Sequence, residues 1–405
     1  KLLKTVTNLG SPKVLVVGDF MLDVYVYGDA VRISPEAPVP VLKVAKTEYR
    51  CGGAGSVANN LAALGATAYC LGVIGDDPNS DILKDKLTKS GADITGLFEA
   101  ADRPTVSKQR LIGLAQRLHR QQLIRIDEES ADPLSDELRQ KILRAYEQKL
   151  SQVDVVCLQD HDKGLLSDSL CRRMIELAAG ANKKVLVDPS PTSDYSKYLG
   201  ATAITPNRKE SSVAVGFEIR DAETAARAAD DLLHKLKLQA VIITLDKEGA
   251  YLKTRDTCKI IPTRARSVYD VTGAGDMVLA TLATSLAAGC DYETAVKLSN
   301  IAGGIEVEKF GAATVTVEEI ADEIASRNGG SNSKVRSVDS LVHELQRHRR
   351  QKKTIVFTNG CFDVLHVGHL RLLEGAREHG DILVVAVNSD ASARENKGAG
   401  RPFVP

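Results

Sequence analysis

Short apolar, β-rich runs recur along the first three quarters of the chain, at residues 14–18, 153–158, 184–187 and 240–245. Each is continuous rather than alternating, the pattern of a strand buried on both faces. Between them lie helical periodicities at 57–64, 135–150, 167–179 and 222–236. Strands alternating with helices predict an α/β architecture: a doubly wound, mostly parallel sheet with helices on both faces and ligands at the carboxyl ends of the strands. Residues 25–44 and 104–125 break the rhythm and read as extended, polar-facing strands, a small separate sheet forming a lid.

At 326–335 the composition turns to Gly, Ser and Asn without apolar periodicity, which predicts a joint. The expected organisation is a first domain over 1–327, a linker at 328–337 and a second module over 338–405. In that module 341–350 and 370–379 read as helices and 354–358 and 381–387 as strands. Two strands and a crossover are the front half of a nucleotide-binding fold. With Lys1 in place of an initiator Met, this gives the expectation of a fragment. No internal repeat is visible.

Composition narrows the function classes. The 405 residues are 43% apolar, and 53 basic residues balance 53 acidic ones. A balanced charge argues against non-specific binding to nucleic acid or to an anionic membrane. No apolar run approaches the roughly 20 residues of a membrane span, and the N-terminus has no secretory pattern, so a cytoplasmic location is expected. The seven cysteines are scattered and lack CxxC spacing, so they are expected to be reduced core thiols rather than a disulfide framework or zinc site.

The richest chemistry lies in Asp270-Val-Thr-Gly-Ala-Gly-Asp276, followed at once by an apolar run over 277–286. This pattern sets a glycine turn and a carboxylate on the first turn of a helix. The first N–H groups of a helix have no intrahelical acceptor, so the N–H groups of Gly273, Ala274 and Gly275 form an anion hole reinforced by the helix dipole. Asp276 beside the anion can orient a substrate hydroxyl and accept its proton. The competing interpretation is an ordinary glycine turn with an Asp at a helix start.

Three other constellations are compatible with phosphoryl transfer. Gly52 and Gly53 open a glycine-rich loop before a helix, suited to a ligand or merely to a tight turn. Asn207 and Glu210, in Asn207-Arg208-Lys209-Glu210, follow an apolar strand and offer oxygen donors toward one site, or a helix cap. A sparse pair of this kind suits Mg²⁺, held through phosphates and water rather than by a dedicated protein cage. Arg32, Lys108 and Arg110 on the lid segments can bind a sugar phosphate, or can form a solvated face.

In this order, Gly18-Asp19, Gly52-Gly53, the NxxE of 207–210 and the DVTGAGD of 270–276 resemble the ribokinase-like carbohydrate kinase family over about residues 10–325. The resemblance implies a ribokinase-like doubly wound sheet with a β lid, with ATP and Mg²⁺ as cofactors. It makes Asp276 the general base and Gly273, Ala274 and Gly275 the anion hole. Asn207, Arg208, Lys209, Glu210, Thr244 and Gly249 would serve ATP and Mg²⁺, and Asp19, Gly52 and Gly53 the sugar. The segments 32–41 and 104–110 resemble the lid strands of heptose-phosphate kinase/adenylyltransferases, and 160–164 resembles their DYGKG-like strand end. This adds Arg32, Lys108, Arg110 and Lys163 as sugar-phosphate contacts. Lid strands of this family commonly pair between subunits, which implies a homodimer. The chain departs from the family at Ser56, Ser190 and the segment 244–249.

Residues 357–369 run from a strand through a glycine loop to a helix start, and His366 and His369 are spaced to face a common phosphate or a metal. No third metal ligand with suitable spacing lies nearby. The segment resembles the HxGH signature of the cytidylyltransferase-like family, here the first half of a Rossmann-like nucleotidyltransferase domain. By that resemblance Thr358, Asp363, His366, His369, Asn388, Asp390 and Lys397 belong to its nucleotide site. The family's ISxT-like segment would lie beyond Pro405, so incomplete adenylyl transfer is expected.

The implied function is ATP-dependent phosphorylation of heptose 7-phosphate at O1, joined to a module for ADP-heptose synthesis in lipopolysaccharide core assembly. Its partners are a sugar phosphate and ATP, with no nucleic acid and no membrane. The rivals are a kinase for another sugar or sugar phosphate and a catalytically silent regulator; an intact Asp276 argues against the latter.

Overall fold

The computed structural model describes residues 2–115, 119–264, 273–309, 313–328, 336, 338–350, 353–398 and 400–403. Residues 270–272 of the glycine motif and 329–335 and 337 of the expected linker fall outside them. The chain divides into two compact units, Lys1–Ile324 and Ala325–Pro405.

The first unit is built on a nine-stranded sheet. Its strands in chain order are β1 (Lys13–Gly18), β4 (Thr67–Gly75), β5 (Asp93–Ala100), β8 (Val155–Gln159), β9 (Lys184–Asp188), β10 (Ala203–Ile204), β11 (Ala240–Thr244), β12 (Ala250–Thr254) and β13 (Cys258–Ile261). They lie in the order β13-β12-β11-β10-β9-β8-β1-β4-β5. All pairings from β5 to β11 are parallel, and the edge strands β12 and β13 are antiparallel. Val14 and Val16 of β1 pack into one apolar cluster and Leu15 and Val17 into another, so successive side chains feed the two faces. Helices Ala54–Ala63, Ala274–Ala287 and Tyr292–Glu306 cover the first face; Asp136–Leu150, Asp168–Gly180 and Ala222–Lys235 cover the other.

The expected lid is a second, four-stranded sheet of β2 (Phe20–Ile33), β3 (Pro40–Gly53), β6 (Val106–Ala115) and β7 (His119–Glu128), ordered β3-β2-β6-β7. Only Asp19 separates β1 from β2, so one continuous stretch passes from the main sheet into the lid. Chain connections leave β1 toward β4 and return at β8 on its other side. The crevice beyond the carboxyl ends of β1 and β8 is therefore the switch point at which such sheets take ligands.

In the second unit, β14 (Ile355–Gly360) and β15 (Ile382–Val387) pair in parallel around helix Val367–Glu378, and helix Asp390–Lys397 follows. The sequence pattern misses this last helix, which is largely polar. Helix Val338–Arg350 begins three residues before its expected start.

Candidate active site

A cavity of about 210 Å³ opens at the switch point. Helix Ala274–Ala287 brings in Asp276 and Gly275, with Gly273 as its N-cap at φ 96°, a left-handed conformation that favours glycine. Strand ends contribute Asp188, Thr205 and Thr244, and the loop after β8 contributes His161. The lid contributes Met21, Asp23 and Gly53 beside Lys108 and Arg110, because β2 and β6 pair in parallel with Asp23 opposite Lys108 and Tyr25 opposite Arg110.

The carboxylates are the dominant electrostatic feature. Burial, together with the neighbouring Asp188, pushes Asp276 well above the usual carboxylate range, a rise opposed by the Ser56 hydroxyl. Asp188 is pushed up to about 6 by burial against the hydrogen bonds donated by Gln159 and Thr205. Asp19 is likewise raised to about 6 by burial and by the charge of Asp160, while the backbone N–H groups of His161 and Lys163 donate to its Oδ2 at 2.9 and 3.2 Å and oppose the rise. His161 is lowered to about 4 by burial and by Lys108, so its imidazole is neutral.

Asn207 and Glu210 form a reciprocal cap of helix Arg208–Val215. The Glu210 N–H donates to Asn207 Oδ1 at 2.9 Å, and the Asn207 N–H donates to Glu210 Oε2 at 2.8 Å. Both also line the cavity, so capping and ligand-facing roles coexist. Burial and the Asp188 charge raise Glu210 to about 7.

Other expected residues stand elsewhere. Arg208 ties its helix to the turn after β11 through Asp246, Glu248 and the Leu245 carbonyl and to the loop before the next helix through the Ile219 carbonyl, and Lys209 is exposed. Gly249 is a hairpin glycine at φ 104° whose Cβ would lie 2.2 Å from the Ile261 carbonyl oxygen. Arg32 is exposed opposite Val41, at the far end of β2 from Asp19. Lys163 pairs its ammonium with Glu129 at 2.8 Å and reaches the site through its backbone N–H to Asp19. Arg110 is inside the cavity but ion-paired with Asp23. Gly52 leaves room for that pair, since a Cβ there would lie 2.6 Å from Asp23 Oδ2. The motif reading misses Met21, Asp23, His161, Asp188 and Thr205; for the last three the available signal is position alone, at or just after the carboxyl end of a strand, whereas Met21 and Asp23 lie inside β2.

This arrangement, with a helix N-terminus and a carboxylate beside a cation-bearing lid at the switch point, suits phosphoryl transfer to a hydroxyl. Residues 11–320 match the model of the pfkB family carbohydrate kinases. The chain belongs to the pfkB family. It is a carbohydrate kinase acting as an ATP-dependent phosphotransferase. Among solved structures, a putative ribokinase from Agrobacterium tumefaciens superposes with a TM-score of 0.65 at 20% identity, covering 80% of this chain and all of that one. Phosphofructokinase-2 from Escherichia coli gives 0.62 at 18%, covering 76% and 97%. At these identities the likeness concerns the fold.

Residues 357–405 match the cytidylyltransferase-like model, so pfkB and cytidylyltransferase-like parts follow one another. The chain is also similar to proteins named bifunctional protein HldE. That of Geobacter metallireducens is 44% identical over 96% of this chain and 79% of its own length, and that of Helicobacter hepaticus is 42% identical over 97% and 81%. The chain is an HldE-type bifunctional protein.

In the second unit His366 caps helix Val367–Glu378, its Nδ1 accepting from the Gly368 N–H at 3.1 Å, which places its own proton on Nε2. The His369 ring stacks on it at 3.9 Å, and His369 Nδ1 has no hydrogen-bond partner among the described residues. Thr358 lies on β14 and is half-buried. Asp363 is buried and engaged by Arg401 and by the Phe403 N–H, so it holds the loop rather than facing outward. Asn388 donates to Ser392, while Asp390 and Lys397 are exposed at the two ends of helix Asp390–Lys397. Among the described residues no cluster of three metal-ligating side chains occurs, and no helix is long and apolar enough to cross a membrane.

Proposed function

We propose that the first unit transfers the γ-phosphoryl group of ATP to O1 of D-glycero-β-D-manno-heptose 7-phosphate, with Asp276 as general base. The observation that carries this reading is the convergence of Asp276, at the first turn of helix Ala274–Ala287, with Lys108 of the lid in one cavity. Burial raises the proton affinity of Asp276, which makes it a stronger base for an anomeric hydroxyl. The N–H groups of Gly273, Ala274 and Gly275 hold the transferring phosphate, and Lys108 holds the 7-phosphate as a point charge. Asp19 and Gly53 would hold the sugar ring, Gly53 from the cavity wall and Asp19 as a carboxylate fixed by two backbone N–H groups.

The donors Asn207, Glu210 and Thr244 are all oxygen-bearing, which fits Mg²⁺ held mainly through water and phosphate. Asn207 and Glu210 would hold Mg²⁺ through water, and the ion when bound would neutralise charge on the phosphates. In the second unit Thr358, His366 and His369 would contact the phosphates of a nucleotide during adenylyl transfer to heptose 1-phosphate, with Asn388, Asp390 and Lys397 at the margin. The product would be ADP-heptose for lipopolysaccharide core, made in the cytoplasm. Exposed Ile33, Val44, Ile124 and Ile126 on the lid strands favour a homodimer through that sheet, which light scattering measures.

The test is a kinase assay with ATP and Mg²⁺ against heptose 7-phosphate, fructose 6-phosphate and ribose, with the product identified by NMR. Preferential formation of heptose 1,7-bisphosphate supports the reading. Preference for another acceptor would replace the substrate while leaving the phosphotransferase in place.

A further inference from the structure

Gln159, the last residue of β8, belongs to no motif, yet its side chain is fully buried against the cavity wall. It lies opposite Gly18 in the parallel pairing of β8 with β1. A Cβ on Gly18 would come within 2.2 Å of the Gln159 carbonyl oxygen and 2.9 Å of its Cβ, so glycine at 18 lets the backbone of β8 approach this closely at the crevice.

Gln159 Nε2 lies 2.8 Å from Asp188 Oδ2 and 3.0 Å from Asp276 Oδ1, with His161 Nε2 farther at 3.3 Å. An amide nitrogen carries two hydrogens, and the two shorter contacts to carboxylates use both. Reversing the amide would set its carbonyl oxygen against two acceptors. Gln159 therefore keeps one orientation, although its Oε1 is buried and has no partner among the described residues. An unpaired buried acceptor is costly, and the two charge-assisted bonds on the other side of the amide offset it.

We propose that Gln159 is the positioning residue for the phosphotransfer base: its amide clamps Asp276 Oδ1 against Asp188 and so fixes the carboxylate for the substrate hydroxyl. This rests on the assignment of Asp276 as base. Gln159 itself touches neither substrate nor ATP; it acts through the carboxylate it holds.

The experiment is steady-state kinetics of the full chain with heptose 7-phosphate and ATP-Mg²⁺ for Gln159→Met, Asp276→Asn and the double variant. Gln159→Met keeps the shape and removes the donor. The expected result is a kcat lowered about 10-fold to 100-fold, the scale of a misplaced catalytic group, with both KM values nearly unchanged. In the Asp276→Asn background the same substitution should cost nothing further. Should Gln159→Met fail to fold, Gln159→Asn, which withdraws the amide by one methylene, is expected to show the same split. A raised KM with unchanged kcat, or an undiminished loss in the Asp276→Asn background, would overturn the proposal. If Asp276→Asn is inactive while Gln159→Met turns over normally, only the clamp fails; if folded Asp276→Asn is itself active, the base assignment fails and takes the clamp with it.

Discussion

Lys197 and Asp160 form a buried ion pair, Nζ to Oδ2 at 2.6 Å, under the loop that holds Asp19. The Tyr198 hydroxyl donates to the same Oδ2 at 2.7 Å, and the Asp162 N–H donates to Oδ1 at 2.9 Å. The carboxylate thus fixes the backbone turn whose next N–H groups, from His161 and Lys163, grip Asp19.

Removing one partner of such a pair leaves a buried charge uncompensated. Lys197→Met is expected to destabilise the first unit by about 3–5 kcal/mol in urea unfolding, and Asp160→Asn added to it should recover part of that loss. Equal stability of Lys197→Met and wild type would show that the pair is not closed in solution.

Asp19 supplies a pH test. Its folded pKa of about 6 lies above the ordinary 3.8, so the folded state binds its proton more tightly than the unfolded state does. The resulting stability is present below about pH 4 and is lost as the pH rises through 6. Asp19→Asn retains an acceptor for the two N–H groups and removes this titration. Relative to wild type it should gain on the order of 2–3 kcal/mol between pH 4 and pH 7.5, read from unfolding midpoints at the two pH values.

Gly53 has φ 54°, and a Cβ on it would lie 2.4 Å from the Asp19 carbonyl oxygen. Backbone cannot yield as a flexible side chain does. Gly53→Ala is therefore expected to cost about 1–3 kcal/mol of stability and to raise the KM for the sugar phosphate more than that for ATP.

How much of this was legible in the sequence depends on how local each feature is. Gly273 to Asp276 and the Asn207–Glu210 cap are written within four residues each, and Gly273, Gly275, Asp276, Asn207 and Glu210 line one cavity. Asp23 and Lys108 meet only through the parallel register of β2 with β6, which no local pattern encodes. Gln159 and Asp188 are single polar residues at strand ends, chemically mute until the sheet order sets them side by side. Lys163 was readable as a cation but not as one held by Glu129, because that pairing spans 34 residues. In the sheet itself β1, β8, β9 and β11 were visible as apolar runs, whereas β4 is broken by Gly72 and bounded by Gly75, and β12 and β13 are short edge strands, AYLKT and CKII, with too little periodicity to stand out.

Lys108 lines the cavity from the lid. Lys108→Ala is expected to raise the KM for heptose 7-phosphate about tenfold or more while changing that for ATP little, the scale of one charge-assisted contact. Equal increases for both substrates would indicate a displaced lid instead of a lost phosphate contact.

The central claim is that Asp276 takes the proton from the sugar hydroxyl as the phosphoryl group moves. It is tested most directly by single-turnover transfer from ATP to heptose 7-phosphate with Asp276→Asn, alongside its unfolding curve and its ATP affinity. The account predicts a folded protein that binds ATP normally and transfers at least about 100-fold more slowly. A folded Asp276→Asn that phosphorylates the sugar at close to the wild-type rate would contradict it.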